Sequence, residues 1–444
     1  MAGLIPRSFI DDLIARTDIV ALIDSRVKLK KAGRNYQACC PFHHEKTPSF
    51  SVSPQKQFYH CFGCGESGNA IGFLMAYDKL EFVEAVEELA ALHNLEVPRE
   101  NTRPDGKPQA SFKTRRNLYE LMEAIAHFYQ ANLKQHQASQ DYLAKRGLSP
   151  EIIDRFELGF CPNSMDTVLR KFGTNKEEIQ KLFDTGMLSQ NERGMYDRFR
   201  NRVMFPIRDK RGRVVAFGGR VMGDEKPKYL NSPESVTYHK SNELYGLYQA
   251  LQAQENPDFL FVVEGYMDVV ALAQYGINNA VASLGTATTG EQIQLMFRCT
   301  EQVICCYDGD RAGRDAAWKA LENALPHLQD GRQIKFIFLP DGEDPDSFVR
   351  QVGKEGFEAY LQKALSLSDF LFNSLLAQVD LTTKEGKTKL VTLAAPLLQK
   401  IPGDTLRLNL RNTLGQKVGI VFSPEQLEKL LPTLSKKKIS LNLK

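Results

Sequence analysis

Apolar positions in the second half of the chain gather in three short blocks, 259–263, 303–307 and 334–339, each rich in Val, Ile and Phe and each running into acid. Blocks that short and continuous predict strands buried on both faces. Stretches with helical alternation separate or follow them, at 268–275 and 314–328. The order strand, helix, strand, helix, strand predicts a parallel sheet with helices on its faces. Near the start, Ser8, Phe9, Ile10 and Asp11 have capping-box spacing ahead of Leu13 and Ile14 and predict an opening helix. An amphipathic helix is predicted over 81–93, helical periodicity resumes at Leu118, Leu121, Ile125 and Phe128, and after Phe348 it returns at Leu361, Leu365, Phe370 and Leu371. Between 97 and 109, Pro, Arg, Asn, Asp, Gly and Lys replace the apolar rhythm, the signature of an exposed linker.

The acids after the three blocks are Glu264 and Asp268, Asp308 and Asp310, and Asp344 and Asp346. In a parallel sheet they converge at the edge outside the carboxyl ends of the strands, where ligands bind. Crowded carboxylates repel one another unless protonated or bridged by a cation, and hard oxygen donors suit Mg²⁺ or Mn²⁺, ions that usually work on phosphates. A single Asp after a strand is more often a turn former or helix cap. Three acidic strand ends in succession favour the metal.

A chain of 444 residues is long for one core, so two to four domains are expected. The net charge of +3 is modest but unevenly placed: residues 193–228 carry eleven Arg or Lys against four Asp or Glu, a candidate anion-binding surface. No apolar run reaches transmembrane length, and the N-terminus lacks the order of a signal peptide, so a cytosolic protein without membrane contact is expected. Thiols stay reduced there, and clustered members of the eight cysteines are tested first as metal ligands. Cys40-Pro-Phe-His43 and Cys61-Phe-Gly-Cys64 are two such pairs, seventeen residues apart, with structural-zinc spacing. Gly63 and Gly65 offer backbone freedom to the second turn. Cys39 competes with Cys40 on spacing alone, and His44 with His43. Around the pairs, Arg34, Tyr36, Phe50, Phe58, Tyr59 and Phe62 interleave basic and aromatic groups, a composition suited to stacking single-stranded bases.

The segments 40–50 and 58–65 resemble the zinc-binding domain of bacterial DNA primases of the DnaG type. Glu264-Gly-Tyr-Met-Asp268, Asp308-Gly-Asp310-Arg-Ala-Gly and Asp341-Gly-Glu-Asp344-Pro-Asp346 resemble the Toprim motifs shared by primases, topoisomerases and some nucleases. The resemblance covers nearly the whole chain. It implies Zn²⁺ on Cys40, His43, Cys61 and Cys64; Mg²⁺ or Mn²⁺ on Glu264, Asp308 and Asp310, with Asp268, Asp344 and Asp346 in support; and template or nucleotide phosphates facing Arg146, Arg202, Arg220, Lys228, Tyr229 and Lys240.

The expected architecture is multidomain, α+β and α/β: a zinc-ribbon-like module (1–100), a linker (101–112), a basic α+β subdomain (113–240), a Toprim parallel-sheet subdomain (241–347), a helical subdomain (348–430) and a basic tail (431–444). The implied function is primer synthesis from ribonucleoside triphosphates on single-stranded DNA, in the bacterial cytoplasm at the nucleoid, by a monomer. A noncatalytic zinc and Toprim recombination mediator is the competing reading; the complete acidic strand ends argue against it. A Toprim nuclease or topoisomerase is another, and no motif marks a nucleophilic tyrosine for the latter. Family members usually continue into a helical domain that docks on the replicative helicase. Because the chain stops soon after Lys436-Lys437-Lys438, that part is expected to be absent.

Overall fold

The computed structural model describes residues 5–93, 95, 97–98, 112–192, 194–284 and 288–420. Most of the expected linker, the tail after 420 and Arg193 of the basic stretch lie outside them. The chain divides into two compact units, Met1–Leu121 and Met122–Lys444.

The first unit is a meander of five antiparallel strands, Lys30–Ala32, Asn35–Ala38, Phe50–Ser53, Phe58–Cys61 and Ser67–Gly68, with helices before and after it. Alternation within the third and fourth strands turns Phe50, Val52, Tyr59 and Cys61 inward. There the rings of Phe50, Tyr59 and Phe73 pack with centroids 5.3 to 6.4 Å apart. The opening helix is Arg7–Arg16, and it begins before the expected cap: Pro6 occupies the N-cap, and its carbonyl accepts from Phe9 and Ile10. Ser8 therefore falls inside the helix. The helix Phe82–Leu92 follows its sequence signal, with Glu81 and Glu84 closing a capping box.

Among the described residues the second unit holds a two-stranded antiparallel pair, Leu188–Asn191 with Gly194–Asp197, and two larger sheets. An antiparallel one runs in the order Tyr229–Asn231, Val214–Val221, Arg202–Arg208, Gly159–Cys161, and its two central strands are buried throughout. The other carries the apolar blocks as Leu260–Val263, Gln302–Tyr307 and Gln333–Phe338, all parallel. Ala280–Ala282 adds a further parallel strand at one edge, and Leu365–Ser366 an antiparallel one at the other. Leu365, expected on a helix, thus sits on an edge strand. The helices Leu367–Leu376, Lys384–Gln399 and Asp404–Val418 bury their apolar faces in the same cluster as the sheet, from Leu260 and Val303 through Phe370 and Leu398 to Leu414.

Candidate functional site

In the first unit, ligand atoms of Cys40, His43, Cys61 and Cys64 all lie within 4.8 Å of one another. Cys40 Sγ is 3.8 Å from Cys64 Sγ, and Cys61 Sγ is 3.8 Å from His43 Nδ1. A tetrahedral ion with bonds of about 2.3 Å has edges of about 3.8 Å, so the set closes around one zinc. Cys39 and His44 are not in it. A second layer holds the ligands in place. His43 Nε2 lies 3.2 Å from Glu45 Oε2, and Glu45 Oε1 accepts from the N–H groups of Cys40 (2.6 Å) and Ser49 (3.0 Å). A carboxylate behind a ligating imidazole fixes the ring and raises its basicity. Burial alone would raise the Cys61 thiol, but the Ser49 hydroxyl and the N–H groups of Cys64 and Gly63 outweigh it and bring it down to about 6. Of the two glycines, only Gly65 is left-handed (φ +81°); Gly63 is needed for space, because a Cβ there would sit 2.7 Å from the His43 ring. Phe50 and Tyr59 belong to the core, whereas Phe58 and Phe62 are exposed and the His60 ring stands 4.7 Å from Phe62.

In the second unit, the six acids lie just beyond three neighbouring parallel strands but differ in what they touch. Asp268, Asp310 and Asp344 also serve as caps, accepting from the N–H groups of Gly265 (3.0 Å), Gly313 (2.7 Å) and Ser347 (2.7 Å). Asp346 is buried against two guanidinium groups, Arg350 Nε at 2.6 Å and Arg146 Nη1 at 3.5 Å. Glu264 and Asp308 have no Lys or Arg partner among the described residues. Desolvation, followed by the charges of Asp308 and Asp310, holds Glu264 above the usual carboxylate range. Desolvation and then Asp310 and Asp344 do the same to Asp308. Burial, with Asp344 and Asp346 nearby, pushes Asp268 up to about 8. Gly309 brings the Asp308 loop against the next strand, since a Cβ there would lie 2.4 Å from the Leu339 carbonyl oxygen.

The basic residues separate in the same way. Arg220 is 4% exposed, with its guanidinium 5.5 Å from the Tyr142 ring centroid and 5.4 Å from that of Tyr229. Its Nε and one terminal nitrogen are buried without a hydrogen-bond partner among the described residues. Arg146 shares the Tyr142 ring at 5.8 Å. Burial pushes the Tyr229 hydroxyl up to about 12. Arg202, expected from the sequence to be a phosphate contact, is buried, and its Nη1 donates to the carbonyls of Gly219 (3.3 Å) and Lys228 (3.4 Å). Lys228 is exposed and Lys240 half-buried. Tyr142, Arg350 and Glu45 escaped the sequence reading. Only Glu45, two residues from a ligand, carried a signal that could have found it.

Family models match nearly end to end: CHC2 zinc finger over 5–105, the N-terminal domain of the DNA primase catalytic core over 128–251, a Toprim-like domain over 261–349, and the DnaB-helicase binding domain of primase over 368–420. The zinc-finger match and the four-residue cluster together establish one structural zinc. The DNA primase of Pasteurella multocida is 71% identical over 441 residues, which are 99% of this chain and 76% of that protein. Among solved structures, a DnaG primase catalytic domain bound to single-stranded DNA matches with a TM-score of 0.68 at 61% identity, covering 70% of this chain and 98% of that one. The zinc-binding and RNA polymerase domains of the Aquifex aeolicus primase match at a TM-score of 0.59 and 34% identity, covering 95% of this chain and 98% of that one. One expectation is overturned. The helicase-binding match falls on the helices of 368–420, so that part is present. The expectation rested on how soon the chain stops after Lys436-Lys437-Lys438, whereas the match lies upstream, in helices that also share the apolar cluster of the sheet. Among the described residues no helix is long and apolar enough to cross a membrane.

Proposed function

This chain belongs to the bacterial DNA primases, nucleotidyltransferases that lay short RNA primers on DNA, and from that premise we propose the roles of its site residues. Glu264, Asp308 and Asp310 hold Mg²⁺ or Mn²⁺. The observation that carries this is electrostatic: Glu264 and Asp308 are raised by desolvation and by neighbouring acids, with no Lys or Arg partner among the described residues. Such a set is relieved by a hard divalent ion. When bound, the ion would neutralise triphosphate charge and favour ionisation of the attacking hydroxyl. Asp268 and Asp344 support this edge chiefly as caps that hold the loops, since each has an oxygen engaged by a main-chain N–H.

Arg220 is the strongest candidate for a phosphate contact. A buried cation with unpartnered N–H groups is costly, and a phosphate held against the small part of Arg220 that is exposed would offset that cost by its charge. Arg146, Lys228, Tyr229 and Lys240 complete the surface for template or nucleotide, while Arg202 acts from beneath by holding the carbonyl of Lys228. In the zinc module, Phe58 and Phe62 stack on single-stranded template bases. In this assignment the zinc module is 1–100, the linker 101–112, the basic subdomain 113–240, the Toprim subdomain 241–347, the helical subdomain 348–430 and the tail 431–444. Helices within 368–420 contribute a contact to the replicative helicase. The compartment this requires is the bacterial cytoplasm at the nucleoid, where template and nucleotides are found. Incubation with single-stranded DNA, four ribonucleotides and Mg²⁺ tests the assignment. Short RNA products that Glu264→Gln abolishes support it; DNA cleavage in their place favours the nuclease reading.

A further inference from the structure

Asp346 and Arg146 come from distant parts of the chain, and a third residue grips both. Arg350 lies one turn after Asp346 on the helix Pro345–Leu361 and donates from Nε to Asp346 Oδ1 at 2.6 Å. Its terminal nitrogen donates to the main-chain carbonyl of Arg146. Arg146 returns Nη1 toward Asp346 Oδ2 at a looser 3.5 Å. The turn it sits on ends at Gly147, which is left-handed (φ +72°), and a Cβ there would lie 3.2 Å from the other Arg350 terminal nitrogen. Both oxygens of a carboxylate that is 7% exposed thus face guanidinium groups.

We propose that Arg350 is a positioning residue that fixes the Arg146 turn beside Arg220, and that Asp346 anchors this clamp instead of binding a divalent cation. The inference rests on the reading of Arg146 as a phosphate contact. A planar fork can hold a carboxylate and a carbonyl together, which a lysine ammonium on a mobile stem does poorly. Without Arg350 the turn keeps its own main-chain hydrogen bonds, from the Arg146 N–H to the Tyr142 carbonyl (3.0 Å) and from the Gly147 N–H to the Ala144 carbonyl (2.8 Å). Its tie to the helix Pro345–Leu361 is reduced to one loose ion pair, and Arg146 presents its charge at a less fixed place.

The test is a double-mutant cycle in primer synthesis. Arg146→Ala should raise either the ribonucleotide KM or the template Kd, and Arg350→Met should raise that same parameter about tenfold, as expected for loss of one charge-assisted contact, with kcat little changed. Arg350→Lys should recover only part. In the Arg146→Ala background Arg350→Met should add less than about twofold, because the two act as one unit. Asp346→Asn, which keeps an acceptor for Arg350, should raise the same parameter while leaving the Mg²⁺ half-saturation where it is. Multiplying effects in the cycle, an unchanged parameter in Arg350→Met, or a shifted Mg²⁺ half-saturation in Asp346→Asn would overturn the clamp. An unchanged parameter in Arg146→Ala would instead sink the phosphate reading on which the clamp depends.

Discussion

Replacing Arg220 with Met should make the protein a worse enzyme without making it a less stable one. The guanidinium is 4% exposed, has two nitrogens without hydrogen-bond partners among the described residues and touches two aromatic faces. Exchanging a buried charge for an apolar side chain of similar volume is neutral or stabilising by about 1–4 kcal/mol. The two ring contacts forfeit about 1–2 kcal/mol together. The balance lies between about −2 and +3 kcal/mol, centred close to neutral and slightly toward a gain. Function moves the other way: a charge-assisted hydrogen bond to phosphate is worth about 1.5–3 kcal/mol, so the affinity for ribonucleotide or template should fall about 10- to 150-fold. Thermal melting and steady-state primer synthesis read the two quantities, and added ligand should raise the melting temperature less in the variant than in wild type. A variant that melts well below wild type yet keeps its affinities would refute the reasoning, because Arg220 would then be a structural group.

Cys61→Ser should release about one equivalent of zinc per chain and unfold the first unit, since a closed site holds such a module together; elemental analysis and limited proteolysis decide this. Glu45→Gln should keep zinc but weaken its affinity about 10- to 100-fold, the usual effect of losing a carboxylate behind a ligating His, as measured by chelator competition. Asp268 holds its proton to about pH 8 when folded and to about pH 4 when unfolded, so the folded state binds more protons between those values and stability falls as pH rises through them. Asp268→Asn, melted in chelator, should flatten that fall and be more stable than wild type above pH 8.

Zinc ligands were readable because two close pairs leave few geometric alternatives, although choosing Cys40 over Cys39 and His43 over His44 took the resemblance. The three parallel strands were readable because each is a short β-branched run ending in acid. Ala280–Ala282 was not, since three small apolar residues carry no period. What each acid does was not readable either. A capping Asp and a ligating Asp look alike in sequence, and Asp268, Asp310 and Asp344 prove to be caps as well as strand-end acids. Arg202 and Arg220 differ for the same reason: both follow basic motifs, but only the fold shows that one meets main-chain carbonyls and the other meets none among the described residues. The helicase-binding helices were misread because a docking helix buries the same apolar stripe as any other.

The most direct test of the central claim is primer synthesis by Asp308→Asn across an Mg²⁺ titration, beside its melting temperature and its affinity for single-stranded DNA. The substitution removes a carboxylate that has no Lys or Arg partner among the described residues, and it empties no core. Synthesis should be lost at every Mg²⁺ concentration or recovered only at far higher ones, while folding and most DNA affinity persist. Near-wild-type synthesis with an unshifted Mg²⁺ dependence would contradict the assignment of the acidic edge as the catalytic centre.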